Sequence, residues 1–107
     1  MRSLLPLLAL AASSCASLPA APATFANPVI DSDFPDPAVL KAKDGFYYVY
    51  ATQTERDGKW INLQVARSSD LVEWQLLGDA LPVKPGWASR TQDFWAPHVA
   101  EHGGRYF

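Results

Sequence analysis

Along this 107-residue chain the hydrophobic pattern changes once, from a single unbroken apolar run at residues 4–12 to short apolar segments divided by turns. The later segments cover residues 38–40, 46–52, 60–68 and 74–77. Between them lie the turn Lys43-Asp44-Gly45, a polar loop over residues 53–59 and the turn Ser69-Asp70. An Asp-Gly step flanked by apolar runs favours a hairpin, because both residues tolerate the backbone angles of a tight turn. The stretch FYYVYAT is rich in aromatic and β-branched side chains, which fit a pleated, half-buried surface. The pattern predicts a four-stranded antiparallel meander.

Part of that pattern returns. Pro37-Ala38-Val39-Leu40-Lys41 leads through Asp44-Gly45 to Phe46-Tyr47-Tyr48, and Pro97-His98-Val99-Ala100-Glu101 leads through Gly103-Gly104 to Tyr106-Phe107. The two prolines stand sixty positions apart, and the second turn is one residue shorter. Two hairpins can look alike by chance, but one four-stranded unit per sixty residues is also the signature of a propeller blade with a long connection. A propeller closes with about four to eight blades. The expectation is an all-β chain holding the first blade and the start of the second, because two partial blades alone leave apolar faces and strand edges uncovered.

The first apolar run belongs to something else. Arg2, the run at 4–12 and the small residues after it read as a signal peptide over residues 1–23. The run is too short to cross a bilayer core of about 30 Å, and no later segment reaches the roughly 20 apolar residues of a spanning helix. Two endings are open: cleavage after Ala21-Pro22-Ala23, an A-x-A site, or lipid attachment at Cys15, since Ala12-Ser13-Ser14-Cys15 is similar to a bacterial lipoprotein site without its usual leucine. The protein is thus expected to be secreted or periplasmic, with an envelope anchor, and any membrane association, only through a lipid at Cys15. Residues 24–107 form the N-terminal part of a truncated domain. They contain no cysteine and so no disulfide framework. All eleven acidic residues lie after residue 30, against eight bases once Arg2 is lost, which leaves 8 − 11 = −3. With that charge and no basic run, nucleic acid is not an expected partner.

The acid with the most unusual setting is Asp36, between Pro35 and Pro37. Pro35 restricts its own φ, Pro37 pushes Asp36 toward extended backbone, and neither offers an N–H. A carboxylate held in one orientation at the start of the first strand is the expectation, although Asp-Pro is also ordinary turn chemistry. Asp31 and Asp33 read as turn or capping residues.

NPVIDSDFPDPAV, DGFYYVYAT, ARSSDLVEW and FWAPHV, in this order and at these gaps, resemble glycoside hydrolase family 43 over most of residues 27–107. That family holds β-xylosidases, α-L-arabinofuranosidases and endo-arabinanases on a five-bladed β-propeller. The Asn-Asp-Pro-Asn-Gly motif of the invertase-like family is absent, and residues 68–74 lack the glycine of a sialidase Asp-box. The resemblance implies hydrolysis of xylosyl or arabinofuranosyl linkages in plant cell-wall polysaccharide by inversion, with two carboxyl groups about 6.5–9.5 Å apart across the scissile bond. Asp36 matches the family's general base, a role that requires an ionised and correctly aimed group. The general acid, a Glu of a later blade, is not matched: Glu55, Glu73 and Glu101 lack its context and read as solvated charges, so these residues alone are expected to be inactive.

A third family carboxylate follows Trp-Ala-Pro in the arabinanase-like branch, where this chain has His98. In the xylosidase-like branch it comes after the aromatic strand, past Phe107. His98 therefore weighs against endo action, and reads equally as a strand-end imidazole or a sugar contact. Phe34 and Trp95 are the expected sugar platforms, Trp74 a core residue and Trp60 either. Tyr47, Tyr48 and Tyr50 alternate with Phe46 and Val49 along a strand, and most of them are expected to pack between blades. No cofactor is implied, and no metal site is expected in this chain; some family members carry a structural calcium, but a lone His is no calcium site. The reading from a different class is a non-catalytic carbohydrate-binding propeller or surface lipoprotein, since fold does not fix function.

Overall fold

Alternation along two strands decides where the sheet buries its face. The computed structural model describes residues 24–107, so the expected signal peptide and the candidate lipid site Cys15 lie outside the described residues. Eight strands are present among them: β1 (Ala38–Lys41), β2 (Tyr47–Ala51), β3 (Thr54–Arg56), β4 (Lys59–Ile61), β5 (Gln64–Ser68), β6 (Gln75–Asp79), β7 (Glu101–His102) and β8 (Arg105–Tyr106), with one 3-10 turn at Gly86–Ala88. The main sheet has the order β1-β2-β5-β6, antiparallel throughout, which is the predicted meander. On β2, Val49 and Ala51 are buried; opposite them on β5 stand Ala66 and Gln64, also buried. The core is small and rests on short side chains, with Ala88 as its other apolar member.

The second face of the sheet carries Tyr48 and Tyr50, while Tyr47 stands in phase with Val49 and Ala51. Tyr48 and Tyr50 line a cavity of about 400 Å³ together with Leu40 of the first hairpin and Tyr106 of the second. Burial pushes the Tyr50 hydroxyl to a raised pKa, and Tyr48 is raised chiefly by its hydrogen bond to Asp44. Trp74, expected in the core, is half-buried and lines an apolar cleft with Val49, Phe34 and the segment around Val29.

The two hairpins are related as the repeat predicts. Lys41 pairs with Tyr47, and Glu101 pairs with Tyr106, one residue closer in sequence. The first turn closes with Gly45 at φ 90°, its N–H donating to the Ala42 carbonyl. The second is a two-residue turn, with Gly103 at φ 58° and Gly104 at φ 84°, a conformation that needs positive φ at both positions. The strand expected directly after Pro97 begins only at Glu101, just past Ala100, which exchanges backbone hydrogen bonds with Phe107.

Residues 53–59, read as a polar loop, are instead half of a small hairpin. β3 pairs with β4 across Asp57-Gly58, both at positive φ. The single strand expected over 60–68 is correspondingly two strands, because the Asp79 carboxylate claims the chain between them. Its Oδ2 accepts the Asn62 N–H at 2.8 Å, and its Oδ1 accepts those of Leu63 at 3.1 Å and Leu81 at 2.8 Å. Among the described residues no helix is long and apolar enough to cross a membrane.

Candidate active site

β2 ends at Ala51 because the next two amides are taken by loops rather than by strands. Thr52 N–H donates to the Pro35 carbonyl at 3.1 Å, and Gln53 N–H donates to the Phe94 carbonyl at 2.9 Å. The stretches Phe34-Pro35-Asp36-Pro37 and Phe94-Trp95-Ala96-Pro97 are thereby drawn to one strand end. The side chain of Gln53 adds a bond, its Oε1 accepting the Phe94 N–H at 3.2 Å.

Asp36 is exposed, and its backbone corrects the expected extended conformation: φ is 53°, in the left-handed region. That conformation is uncommon for any residue other than glycine, and a following proline restricts it further. It persists because the surroundings hold it. Thr52 Oγ1 donates to Asp36 Oδ2 at 2.8 Å, while the Thr52 amide binds the carbonyl of the preceding Pro35. Asp36 Oδ1 accepts no hydrogen bond from the described residues. Ala96, also followed by a proline, has φ 45°, and its N–H donates to the same Thr52 Oγ1 at 2.8 Å.

Asp33 is held by distant chain rather than by a local turn. Its Oδ2 accepts the hydroxyl of buried Thr54 at 2.7 Å. Beneath these loops runs a polar network. Gln64, 2 % exposed, donates from Nε2 to the Thr52 carbonyl at 2.8 Å and accepts from Arg56 at 3.2 Å. Gln92 donates to Asn62 Oδ1 at 2.9 Å and accepts from Lys84 Nζ at 2.7 Å, which also donates to the Thr91 carbonyl. Every buried side-chain polar atom among the described residues has a partner, and a satisfied network of this kind rigidifies what it supports.

Of the aromatic candidates, Trp95 is 67 % exposed beside the Asp36 loop, whereas Phe34 is half-buried and shares the apolar cleft with Trp74. His98 is exposed and makes no hydrogen bond with the described residues. Glu55 and Glu73 are exposed, as expected; Glu101 is not simply solvated, since it pairs with Lys43 at 3.1 Å. Among the described residues no group of three His, Cys, Asp or Glu could hold a metal ion. Sequence reasoning passed over Thr52, Gln53, Asn62, Gln64 and Gln92. A signal existed for Gln64, a polar residue in the buried phase of β5, since a buried amide needs partners.

The sequence profile described as Glycosyl hydrolases family 43 matches residues 25–107. Over 90 residues, 78 % of this chain, the sequence is 36 % identical to a non-reducing end α-L-arabinofuranosidase of Bacteroides ovatus. Over 87 residues, 67 % of this chain, it is 32 % identical to an extracellular endo-α-(1→5)-L-arabinanase of Thermotoga petrophila. The chain spans 16 % of the length of each of these relatives. The crystal structure of a thermostable family-43 glycoside hydrolase superposes with a TM-score of 0.57 at 33 % identity, covering 78 % of this chain and 26 % of that one.

Proposed function

The chain belongs to glycosyl hydrolases family 43, and we propose that it is the N-terminal part of an exported, inverting hydrolase of plant cell-wall polysaccharide in which Asp36 is the general base. In this reading residues 24–107 open a five-bladed propeller, with β1, β2, β5 and β6 as one blade and β7 and β8 beginning the next. The observation that carries the assignment is the presentation of Asp36: an exposed carboxylate in a constrained backbone conformation, held at one oxygen by Thr52 and open at the other.

The chemistry asks for that presentation. Asp36 takes a proton from water as the water oxygen bonds to the anomeric carbon. The bond from that carbon to the leaving oxygen breaks on the opposite face, and a second carboxyl group, about 6.5–9.5 Å from the base, protonates the leaving oxygen. Glu55, Glu73 and Glu101 do not match the family's general acid, and in this reading that acid is a Glu of a later blade. Trp95 and Phe34 serve as sugar platforms, Trp95 the more open of the two, and exposed His98, just past Trp95-Ala96-Pro97, serves as a sugar contact. Both relatives are named for arabinosyl linkages, which supports arabinofuranosyl units ahead of xylosyl units. The relative named extracellular supports export.

The test is to express the full reading frame without its leader and assay 4-nitrophenyl α-L-arabinofuranoside, 4-nitrophenyl β-D-xyloside and arabinan beside an Asp36→Ala variant. General base catalysis contributes about 10²- to 10⁴-fold, and a loss of that order in a folded variant is the expected result. A folded variant as active as wild type overturns the assignment of Asp36. A folded wild type that is inert on all three substrates but retains arabinan on an affinity column points to a binding propeller instead.

A further inference from the structure

We infer that Thr52 is a positioning residue for the general base, a device that aims the Asp36 carboxylate and ties its aim to the Trp95-Ala96-Pro97 backbone; the inference rests on the assignment of Asp36 proposed above. A threonine hydroxyl has one proton to donate and lone pairs with which to accept. Here the Ala96 N–H, which can only donate, occupies a lone pair at 2.8 Å. The hydroxyl proton is therefore free for the carboxylate, where Thr52 Oγ1 lies 2.8 Å from Asp36 Oδ2. The direction of both bonds is fixed by which groups carry hydrogen.

The hydroxyl is also fixed in space. Thr52 is anchored on both backbone sides, its N–H to the Pro35 carbonyl at 3.1 Å and its carbonyl to Gln64 Nε2 at 2.8 Å. Threonine is stiff at χ1, so an anchored backbone leaves Oγ1 little freedom. One oxygen of Asp36 is thus held and the other, Oδ1, is left to meet water. Asp36 and Ala96 each hold left-handed backbone before a proline, at φ 53° and 45°, and the same oxygen binds both positions. Displacing either loop displaces the hydroxyl's partner, so the geometry of the base depends on the loop that carries Trp95.

A Thr52→Val substitution keeps the shape of the side chain and removes both hydrogen bonds, whereas Thr52→Ser keeps the hydroxyl. The experiment measures kcat and KM of the full-length enzyme on 4-nitrophenyl α-L-arabinofuranoside for both variants, for Asp36→Ala, and for Asp36→Ala combined with Thr52→Val. Misaiming a catalytic group typically costs on the order of 10- to 100-fold, and that loss is expected in kcat of Thr52→Val with KM little changed and with Thr52→Ser close to wild type. In the Asp36→Ala background the same substitution is expected to change the residual rate by about twofold or less, because its effect runs through the missing carboxylate. If Thr52→Val does not fold, Thr52→Cys replaces it, with a weak S–H donor in place of the hydroxyl. A folded variant with wild-type kcat, or a loss that persists in full without Asp36, overturns the inference. Full activity in Asp36→Ala alone removes the base assignment, and the positioning role with it.

Discussion

Lys43, in the turn of the first hairpin, reaches Glu101, on the first strand of the second, with Nζ 3.1 Å from Oε1. The Lys43 amide also donates to the Tyr106 hydroxyl at 3.1 Å, and the Gly104 amide donates to Glu101 Oε1 at 2.6 Å. One carboxylate thus closes the second turn and docks it on the first. The Gly104 N–H first, and Lys43 after it, hold the Glu101 carboxyl below the ordinary glutamate value of 4.5.

A depressed carboxylate pKa contributes stability that is fully present above the unfolded value and is lost as pH falls through the folded one. For Glu101 the window opens just below 4.5 and extends downward. In Glu101→Gln the amides of Tyr106 and Phe107 are expected to exchange hydrogen faster than in wild type at pH 7. The two proteins should converge below that window. The Lys43 share of the effect should also shrink in about 1 M salt, where the Debye length is near 3 Å. Exchange rates that never differ at pH 7 would remove the ion pair from the account of how the hairpins dock.

Asp70 shows the same sign in a different place. Its Oδ1 accepts the Val72 and Glu73 amides, each at 2.9 Å, and the Ser68 hydroxyl at 3.0 Å, which together hold the carboxyl below its ordinary 3.8. Asp70→Ala is expected to lower the melting temperature at pH 7, with the gap closing as pH falls below 3.8. A gap independent of pH would mean that shape rather than charge matters at this turn.

Gln64 is the strongest stability prediction. Gln64→Ala removes a side chain that is 2 % exposed, strips the Thr52 carbonyl of a donor and leaves Arg56 without its acceptor. Cavity and lost hydrogen bonds together should cost about 2–4 kcal/mol. The check is the denaturation midpoint in urea, which should fall with the slope unchanged.

Trp95 offers the converse. At 67 % exposure it contributes little to packing, so Trp95→Ala should fold normally. If the ring is a sugar platform, KM on arabinan rises about tenfold, equivalent to ~1.4 kcal/mol of binding. An unchanged KM assigns the sugar face to other residues.

Much of the architecture could be read one residue at a time. The segments at 38–40, 46–52 and 74–77 correspond to β1, β2 and β6, and the shorter second turn was visible from its two glycines. Period-2 alternation and turn chemistry are local properties, carried by each residue wherever it lies. Asp57-Gly58 carried the same kind of signal for the β3-β4 hairpin, masked by the polarity of its strands. The family was legible in the same way: FPDP and FWAP belong to the motifs that point to the family to which the chain belongs.

The geometry of those residues was a different matter. Local rules place Asp36 in extended backbone, yet it is left-handed, because a proline's preference of this kind yields to two hydrogen bonds delivered from Thr52, 16 positions along the chain, to the Asp36 carboxylate and the Pro35 carbonyl. The break between β4 and β5 likewise depends on Asp79, 16 or 17 positions away. Thr52 itself has no sequence signature beyond standing at a strand end. Its role exists only once folding has brought residues 36 and 96 to either side of one hydroxyl, since a hydrogen bond acts over about 3 Å and carries no trace of sequence distance.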